Sequence, residues 1–478
     1  VGDRKTAVDF YNQAASAAND KSSQQNLTTS FQLFVSAVYA DSTFWLPHYQ
    51  SGNNVADLNF PAAAVACYRR ALACEMSDAD RSKVYANLCD RMRLIGHTSE
   101  SLECGLKATR LDPKNQAGWI NLAVTYQMRQ DSKKSVAAAE RAVALDPDNI
   151  AAQIGYAFAL LFDGQYVRGF EAFECRYRYA LHSFTQYPYP KWRGEKGATV
   201  MLVADQGMGD VISFARFVPL ALERLRDGDR KGFMHIAVHR ELMRPFQQAF
   251  LKYDNIDVIP LQPNFRQADY YTSFVSLPWS MKLTHDEIVN TPQIELPNSG
   301  VASMYGQSWK VHDAKYHVGI AWRGSHLNQI NPYRSIPLTC FLELCRVKGV
   351  QLYSLQVGEH AKDVHEGGCS PVIKDLTGHI QDVSDTVSFL QHLDLVVSCE
   401  SALPHICAAV GRECWIPYSH LGKDYRIGLS GDKLLWTPRH RIFGQTEHET
   451  WDDVFARIVP ALEERVHGVG REARSRRA

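Results

Sequence analysis

Three short stretches of this chain carry side chains that could do chemistry together. The first is Gly207-Met208-Gly209-Asp210, which follows the apolar run Thr199–Val203 and precedes Ile212, Phe214, Ala215 and Val218 at helical spacing. That pattern predicts a strand, a tight turn and a helix, with backbone N–H groups at the helix start facing an anionic or polar ligand. Gly207 and Gly209 let the backbone come close to such a ligand, and Asp210 stands at the mouth of the crevice as an acceptor-only carboxylate. An ordinary strand-to-helix turn with Asp210 as N-cap fits the same residues. In the second stretch, residues 393–398 run into Cys399-Glu400-Ser401, and a helix over 402–410 is closed by Gly411. The N-terminus of that helix and the Ser401 hydroxyl suit a diphosphate, whereas Glu400 suits a ribose diol because a carboxylate only accepts. His405 falls one turn into the helix, where a packed core histidine is the competing reading. The third stretch follows Trp322: Arg323, Gly324, Ser325 and His326, then Arg334-Ser335-Ile336-Pro337. Guanidinium groups at a strand end bind diphosphate bidentately, and a solvated loop is the alternative. Asp227-Gly228-Asp229 has an Asp-x-Asp form, but its flanks, RLRDGDRKG, describe a charged turn, so no metal is assigned to it.

The elements that must position these groups alternate. Strands are predicted over 199–203, 232–238, 256–259 and 270–275, with helical stretches such as 241–253 between them. The rhythm restarts at 317–322, 351–355, 393–398 and 413–417. Strand alternating with helix predicts parallel sheets. Two of them leave a crevice between them, with ligands bound beyond the carboxyl ends of the strands.

Upstream lies a repeat. Residues 85–115 and 119–149 align at a fixed offset, with Asn87 on Asn121, Leu88 on Leu122, and Leu111-Asp112-Pro113-Lys114-Asn115 on Leu145-Asp146-Pro147-Asp148-Asn149; 146 minus 112 gives 34. Two helices and a closing Asp-Pro at that period describe the tetratricopeptide repeat, and four or five helix pairs are predicted up to about residue 180. Each unit leaves an apolar face that only a stacked neighbour buries. Asn87 and Asn121, on the inner helix of adjacent repeats, are candidates for hydrogen bonding an acceptor peptide; as buried packing amides they would look the same. Near Ser183 the composition changes, and FTQYPYPKWRGEKG cannot continue a helix.

The totals set bounds. At 478 residues two or three domains are expected. Lys plus Arg and Asp plus Glu are 52 each, which excludes a general field for nucleic acid or an anionic membrane. No apolar run reaches the roughly eighteen residues of a membrane span. The 11 cysteines form no CxxC pair, which points to reduced thiols and a cytoplasmic protein. Val1 is not an initiator Met, so the numbering is expected to begin inside a longer or processed chain.

Taken in order, WRGEKG, LVADQGMGDVISFARFVP, SLPWSMKL, VGIAWRGSHLNQINPYRSIPL, LYSLQ, DLVVSCESALPHICAAVG, and KDYRIG before WTPRHRIFGQ resemble bacterial proteins that join tetratricopeptide repeats to a heptosyltransferase-like glycosyltransferase domain. The resemblance implies a GT-B pair of Rossmann-like α/β domains. The C-terminal half would hold a nucleotide sugar, and the N-terminal half would face the acceptor. It implies a repeat array over 1–182, an acceptor half over 183–305, a donor half over 306–465 and a basic tail over 466–478. It assigns Asp210 as general base. Gly207, Gly209, Trp322, Arg323, Ser325, Arg334, Gln356, Glu400, Ser401, His405 and Asp424 then fall to the donor. Glu400, Ser401 and His405 align with an Asp-Thr-x-x-x-His signature, with Glu for Asp, Ser for Thr and Pro404 before the His. Asp424-Tyr425-Arg426 stands for an Asp-Trp-Arg-Trp element.

The chemistry so implied is metal-independent glycosyl transfer, with the nucleotide sugar as co-substrate and no cofactor. A base takes the acceptor proton, and Arg323, Arg334, Ser401 and the following helix N-terminus hold the departing diphosphate. Three functions follow. One is a transferase whose repeats recruit a protein acceptor. Another is a repeat scaffold with a degenerate nucleotide-sugar-binding domain. A third is a transferase acting on a saccharide or lipid-linked acceptor, with the repeats merely anchoring it.

Overall fold

A computed structural model of the chain describes residues 2–18, 24–178, 187–262, 266–305, 309–311, 314–325, 331–421, 424–426 and 434–475. It divides into two units, Val1–Arg178 and Tyr179–Ala478.

The first unit is helical. Among its described residues are ten α-helices: α1 Arg4–Ala18, α2 Gln24–Ala40, α3 Trp45–Asp57, α4 Pro61–Leu72, α5 Asp78–Leu94, α6 Thr98–Leu111, α7 Gln116–Met128, α8 Ser132–Leu145, α9 Ile150–Phe162 and α10 Tyr166–Phe173. Each packs on the next, and α5, α7 and α9 also pack in series, so this is an array of five helix pairs. The repeated residues do repeated work. Gly96, Gln130 and Gly164, spaced by 34, all take positive φ (91°, 62° and 75°) and turn one helix of a pair into the next. In each Asp-Pro-x-Asn the aspartate accepts from the backbone two residues on, Lys114 N at 2.9 Å and Asp148 N at 3.0 Å. The asparagine then caps the following helix: Asn115 accepts from Gly118 N at 3.2 Å and Asn149 from Ala152 N at 3.1 Å. Small residues let the helices close up. Ala108 and Ala142 are fully buried, and a Cβ on Gly105 would come within 3.0 Å of Leu122 Cδ1.

The second unit holds two parallel sheets. The first contains β1 Thr199–Val203, β2 Phe233–Val238, β3 Ile256–Pro260 and β4 Tyr270–Ser273 in the order β3-β2-β1-β4. The second contains β5 Tyr316–Ala321, β6 Val350–Ser354, β7 Ile373–Asp375, β8 Leu395–Ser398, β9 Cys414–Tyr418 and β10 Arg441–Gly444 in the order β10-β9-β8-β5-β6-β7. Residues 270–275 are expected as one strand, but the strand stops at Ser273. There the Ser273 hydroxyl accepts from Ser276 N and starts the helical turns Phe274–Ser276 and Leu277–Ser280. Segment 187–192, beyond the predicted composition change, lies along the first sheet: Tyr271 N donates to Pro190 O (2.9 Å) and Trp192 N to Tyr271 O (2.8 Å), with Trp192 fully buried. Tyr187 and Tyr189 pack on Met201, Val203 and Tyr271. The second sheet is covered by Phe341, Phe455, Ile458 and Leu462, the last three from the long helix Trp451–Ser475. Asp227-Gly228-Asp229 is a tight turn, with Asp227 and Arg230 exchanging backbone hydrogen bonds and Gly228 at φ 58°. No helix among the described residues is long and apolar enough to cross a membrane.

Candidate functional site

The loop after β1 enters α11, Met208–Phe214. Gly207 is its N-cap, at φ −58° and ψ 153°, with no side-chain cap bond. Asp210 therefore lies inside the first turn and is not the cap. Gly207 adopts a backbone open to any residue, and a Cβ there would sit 3.6 Å from Asp210 Oδ2, an ordinary van der Waals contact. At Gly209 the backbone approaches another helix closely: a Cβ would lie 2.9 Å from His405 Cδ2, 3.2 Å from Ala402 Cα and 3.5 Å from Ser401 O. α11 thus packs directly on the helix Ala402–Ala409 that follows β8. The helices that follow β1 and β8, one from each sheet, meet here.

The Ala402–Ala409 helix is capped by Ser401, whose hydroxyl accepts from Leu403 N at 3.4 Å. It is also anchored by His440, which the sequence reading does not single out. His440 is buried, its Nε2 donates to Pro404 O (2.8 Å), and its Nδ1 accepts from Cys414 N (3.3 Å). That pair of bonds fixes the tautomer and holds the helix against the start of β9.

Around the helix start stand three carboxylates and two guanidinium groups. Arg426 binds Asp424 through its backbone N (2.8 Å), its Nε (2.9 Å) and its Nη2, while its Nη1 is 3.2 Å from Asp210 Oδ1. Arg334 Nη1 is 3.6 Å from Glu400 Oε1. A face of the Arg334 guanidinium lies against Gly324, where a Cβ would meet Nη2 at 2.6 Å, so a side chain there would displace the guanidinium. Both arginines are more than nine-tenths buried, at 9% and 8% exposure, whereas 37% of the Asp210 side chain remains open to solvent. Asp210 is therefore reachable by a ligand although protein surrounds it.

The environment sorts these groups by charge. Burial raises the Asp210 pKa, against the pull of Arg426 and with a further push from Asp424. Burial also lifts Glu400 to about 7, with Asp424 adding to the rise and Arg334 and Arg426 opposing it. Burial would lift Asp424 as well, but the hydrogen-bonded Arg426 brings it below the usual carboxylate value. His405, desolvated and beside Arg426, is depressed to about 3 and is neutral at physiological pH. Tyr418, buried next to Glu400, Asp424 and Arg426, is pushed well above the usual phenol value by burial.

The remaining candidates take supporting positions. The Trp322 indole is fully buried in the core of the second sheet, because an apolar ring at a strand end packs inward, and its Nε1 donates to Asp363 Oδ2 at 2.9 Å. Gln356 is a brace, not an open ligand group. Its Oε1 accepts from Trp322 N (2.9 Å) and Arg323 N (2.8 Å), and its Nε2 donates to Arg323 O (3.1 Å). Arg323 is exposed, with Nε 3.8 Å from Asp363 Oδ2, and Ser325 is exposed. His326 lies outside the described residues. In the helical array, Asn87 Nδ2 donates to Tyr49 OH (3.0 Å) and Asn53 Oδ1 (2.9 Å), and Asn121 Nδ2 donates to Ala86 O (2.8 Å). Both amides join one repeat to the previous one, which is the packing role, and both remain half-buried. The two sheets are linked by groups that spacing could not find. Arg244 bonds Asp382 (2.6 and 2.7 Å) and Asp385 (2.7 Å), and Arg216 donates to Trp436 O (3.2 Å) where Phe214 and Phe217 meet the Trp436 ring.

No protein-family model matches the chain. Protein FlbA of Caulobacter vibrioides is 23% identical to it over 449 residues, covering 86% of this chain and 72% of that protein. Among solved structures, TTC0263, a thermophilic TPR protein of Thermus thermophilus, is 15% identical with a TM-score of 0.30, covering 38% of this chain and 92% of its own. YrrB, described as a TPR protein with an unusual peptide-binding site, is 12% identical with a TM-score of 0.30, covering 37% and 89%. The chain is thus similar to FlbA over most of its length and, over about a third of it, to TPR proteins.

Proposed function

We propose that the chain is a glycosyltransferase of GT-B architecture that moves a sugar from a nucleotide-sugar donor to an acceptor. One observation carries the reading. The turn bearing Asp210 at the end of β1 and the Ser401-capped helix at the end of β8 come together at the carboxyl ends of two parallel sheets. A partly exposed carboxylate then faces a helix N-terminus flanked by two buried arginines. Asp210, with its raised pKa, is a base able to take a hydroxyl proton. The N–H groups behind Ser401, with Arg334 and Arg426, provide positive potential for a departing diphosphate. The donor is a nucleoside diphosphate sugar, no resident cofactor takes part, and Glu400 lies in the donor site. The helical array recruits the acceptor, a protein or peptide laid along the stacked repeats. All 11 cysteines stand as thiols, in keeping with reaction in the reducing cytoplasm.

The test incubates the purified chain with a pool of nucleotide sugars, with and without a host lysate, and follows sugar nucleotides and glycosylated products by mass spectrometry. Donor consumption with a protein-linked sugar is expected. Slow donor hydrolysis without any lysate product would point to a saccharide acceptor. Binding without turnover of any donor would leave a nucleotide-sugar-binding scaffold and remove the transferase reading.

A further inference from the structure

Positive charge at the mouth of the Ala402–Ala409 helix is already engaged. Arg334 reaches Asn331 Oδ1 through Nε at 3.4 Å, lies against Gly324, and holds Glu400 at 3.6 Å without a hydrogen bond. Arg426 spends its Nε and Nη2 on Asp424. Its buried Nη1, 3.2 Å from Asp210, makes no hydrogen bond among the described residues. Each guanidinium therefore keeps a corner in loose electrostatic contact with a carboxylate, in a place shielded from water where an arginine ordinarily makes short bidentate bonds. With all three carboxylates ionised, Asp210, Glu400 and Asp424 set against Arg334 and Arg426 leave one negative charge in excess, and Asp205 adds to the negative field at Asp210. A diphosphate entering the same place would add at least two more, which Coulomb repulsion at these separations opposes.

Resting on the donor reading above, we infer that Glu400 is a counter-ion that a nucleoside diphosphate replaces: the phosphate takes Arg334 from Glu400, and Glu400 accepts a proton from solvent as the ion pair breaks. The balance is simple. One Arg–carboxylate contact is lost and one Arg–phosphate contact is made, and the proton taken up at a Glu400 carboxyl oxygen cancels one unit of the incoming charge.

Glu400 suits this role because its longer side chain reaches Arg334, and because its pKa of about 7 already places it near the point of protonation. The groups facing it leave few other sites for the proton. Arg334 and Arg426 stay charged, and Asp424 is held ionised by Arg426. Burial keeps the Tyr418 hydroxyl and the Cys399 thiol protonated already. Asp210, also raised, is the competing carboxylate among the described residues, and His405, held to about 3, is too weak a base to take the proton. Removing a carboxylate at either position therefore separates the two.

The experiment is titration calorimetry of the full chain with uridine, guanosine and adenosine diphosphates and with inorganic pyrophosphate, in buffers of differing ionisation enthalpy. The observed heat then gives the protons exchanged. Uptake approaching one proton at about pH 8 is expected for the wild type, beyond that owed to the phosphate itself, and it disappears in Glu400→Gln but persists in Asp210→Asn. Between about pH 6 and pH 8 wild-type affinity falls about tenfold relative to Glu400→Gln. Equal uptake in wild type and Glu400→Gln, or uptake lost only in Asp210→Asn, would overturn the inference while leaving the donor site standing. Failure of every probe to bind either protein would remove the donor reading and the inference with it. Should the glutamine variant not fold, Glu400→Asp is used: its shorter reach flattens the pH dependence, and an unchanged dependence would overturn the inference.

Discussion

At the scale of single residues the two glycines of the Asp210 loop make the sharpest contrast. Gly209 has no room for a methyl group, since His405 and the Ala402 backbone stand within 3.2 Å of the position a Cβ would take. Gly209→Ala should therefore destabilise the second unit by about 1–3 kcal/mol and weaken diphosphate binding. Gly207→Ala, with ordinary spacing and a negative φ, should stay within about 0.5 kcal/mol. Thermal unfolding of the two variants checks this. A second prediction concerns pH. His405 is depressed to about 3 in the folded chain, so the unfolded chain binds more protons between pH 6.5 and 3, and the contribution of His405 to stability is lost as pH falls through that window. Glu400 works in the opposite sense. Its raised folded pKa means the folded chain holds the extra proton, so stability declines as pH rises from the usual glutamate range to about 7. Denaturant midpoints should show Glu400→Gln gaining more over wild type at pH 8 than at pH 5, and His405→Asn losing less than wild type on acidification. Asp210, Glu400, Ser401 and His405 were legible in the sequence because each lies next to its own turn. Arg426 as partner of Asp210 and His440 as anchor of the Pro404 carbonyl were not. Both come from distant loops, and no local period records a contact between segments so far apart in the chain.

At the scale of elements, legibility followed periodicity. The helical repeat was clear because Asp-Pro-x-Asn and the turn residue recur at 34, and each recurrence makes the same hydrogen bonds. Asn149 both caps α9 and donates from Nδ2 to Gln116 Oε1 at 2.7 Å. Asn149→Ala should cost about 1–2 kcal/mol, read as a lower denaturant midpoint of the helical unit. The inner strands of both sheets were legible as apolar runs, since parallel strands are covered on both faces. β7 and β10 were missed. They are the two edges of the six-stranded sheet, three and four residues long, and β10 opens with the exposed Arg441, so neither shows a hydrophobic run. Strand β4 was drawn too long because Phe274 and Val275 are apolar and buried, yet belong to the turn that Ser273 caps.

For the whole molecule, the two units divide the labour in the proposed account: one recruits, the other transfers. Residues 179–478 expressed alone, if folded by circular dichroism, should keep the diphosphate affinity of the full chain and lose transfer to a protein acceptor. Undiminished protein glycosylation by that fragment would deprive the array of its proposed role. Within the second unit, the charged tie between Arg244 and Asp382 with Asp385 and the aromatic contact of Phe214 and Phe217 with Trp436 link the parts that carry the two sheets. The position of Asp210 relative to the Ser401 helix depends on that arrangement.

The most direct measurement of the central claim is sugar transfer by Asp210→Asn beside wild type, with donor affinity measured on the same samples. The account predicts that turnover falls by at least about a hundredfold while a nucleoside diphosphate still binds. Turnover at the wild-type rate would contradict it.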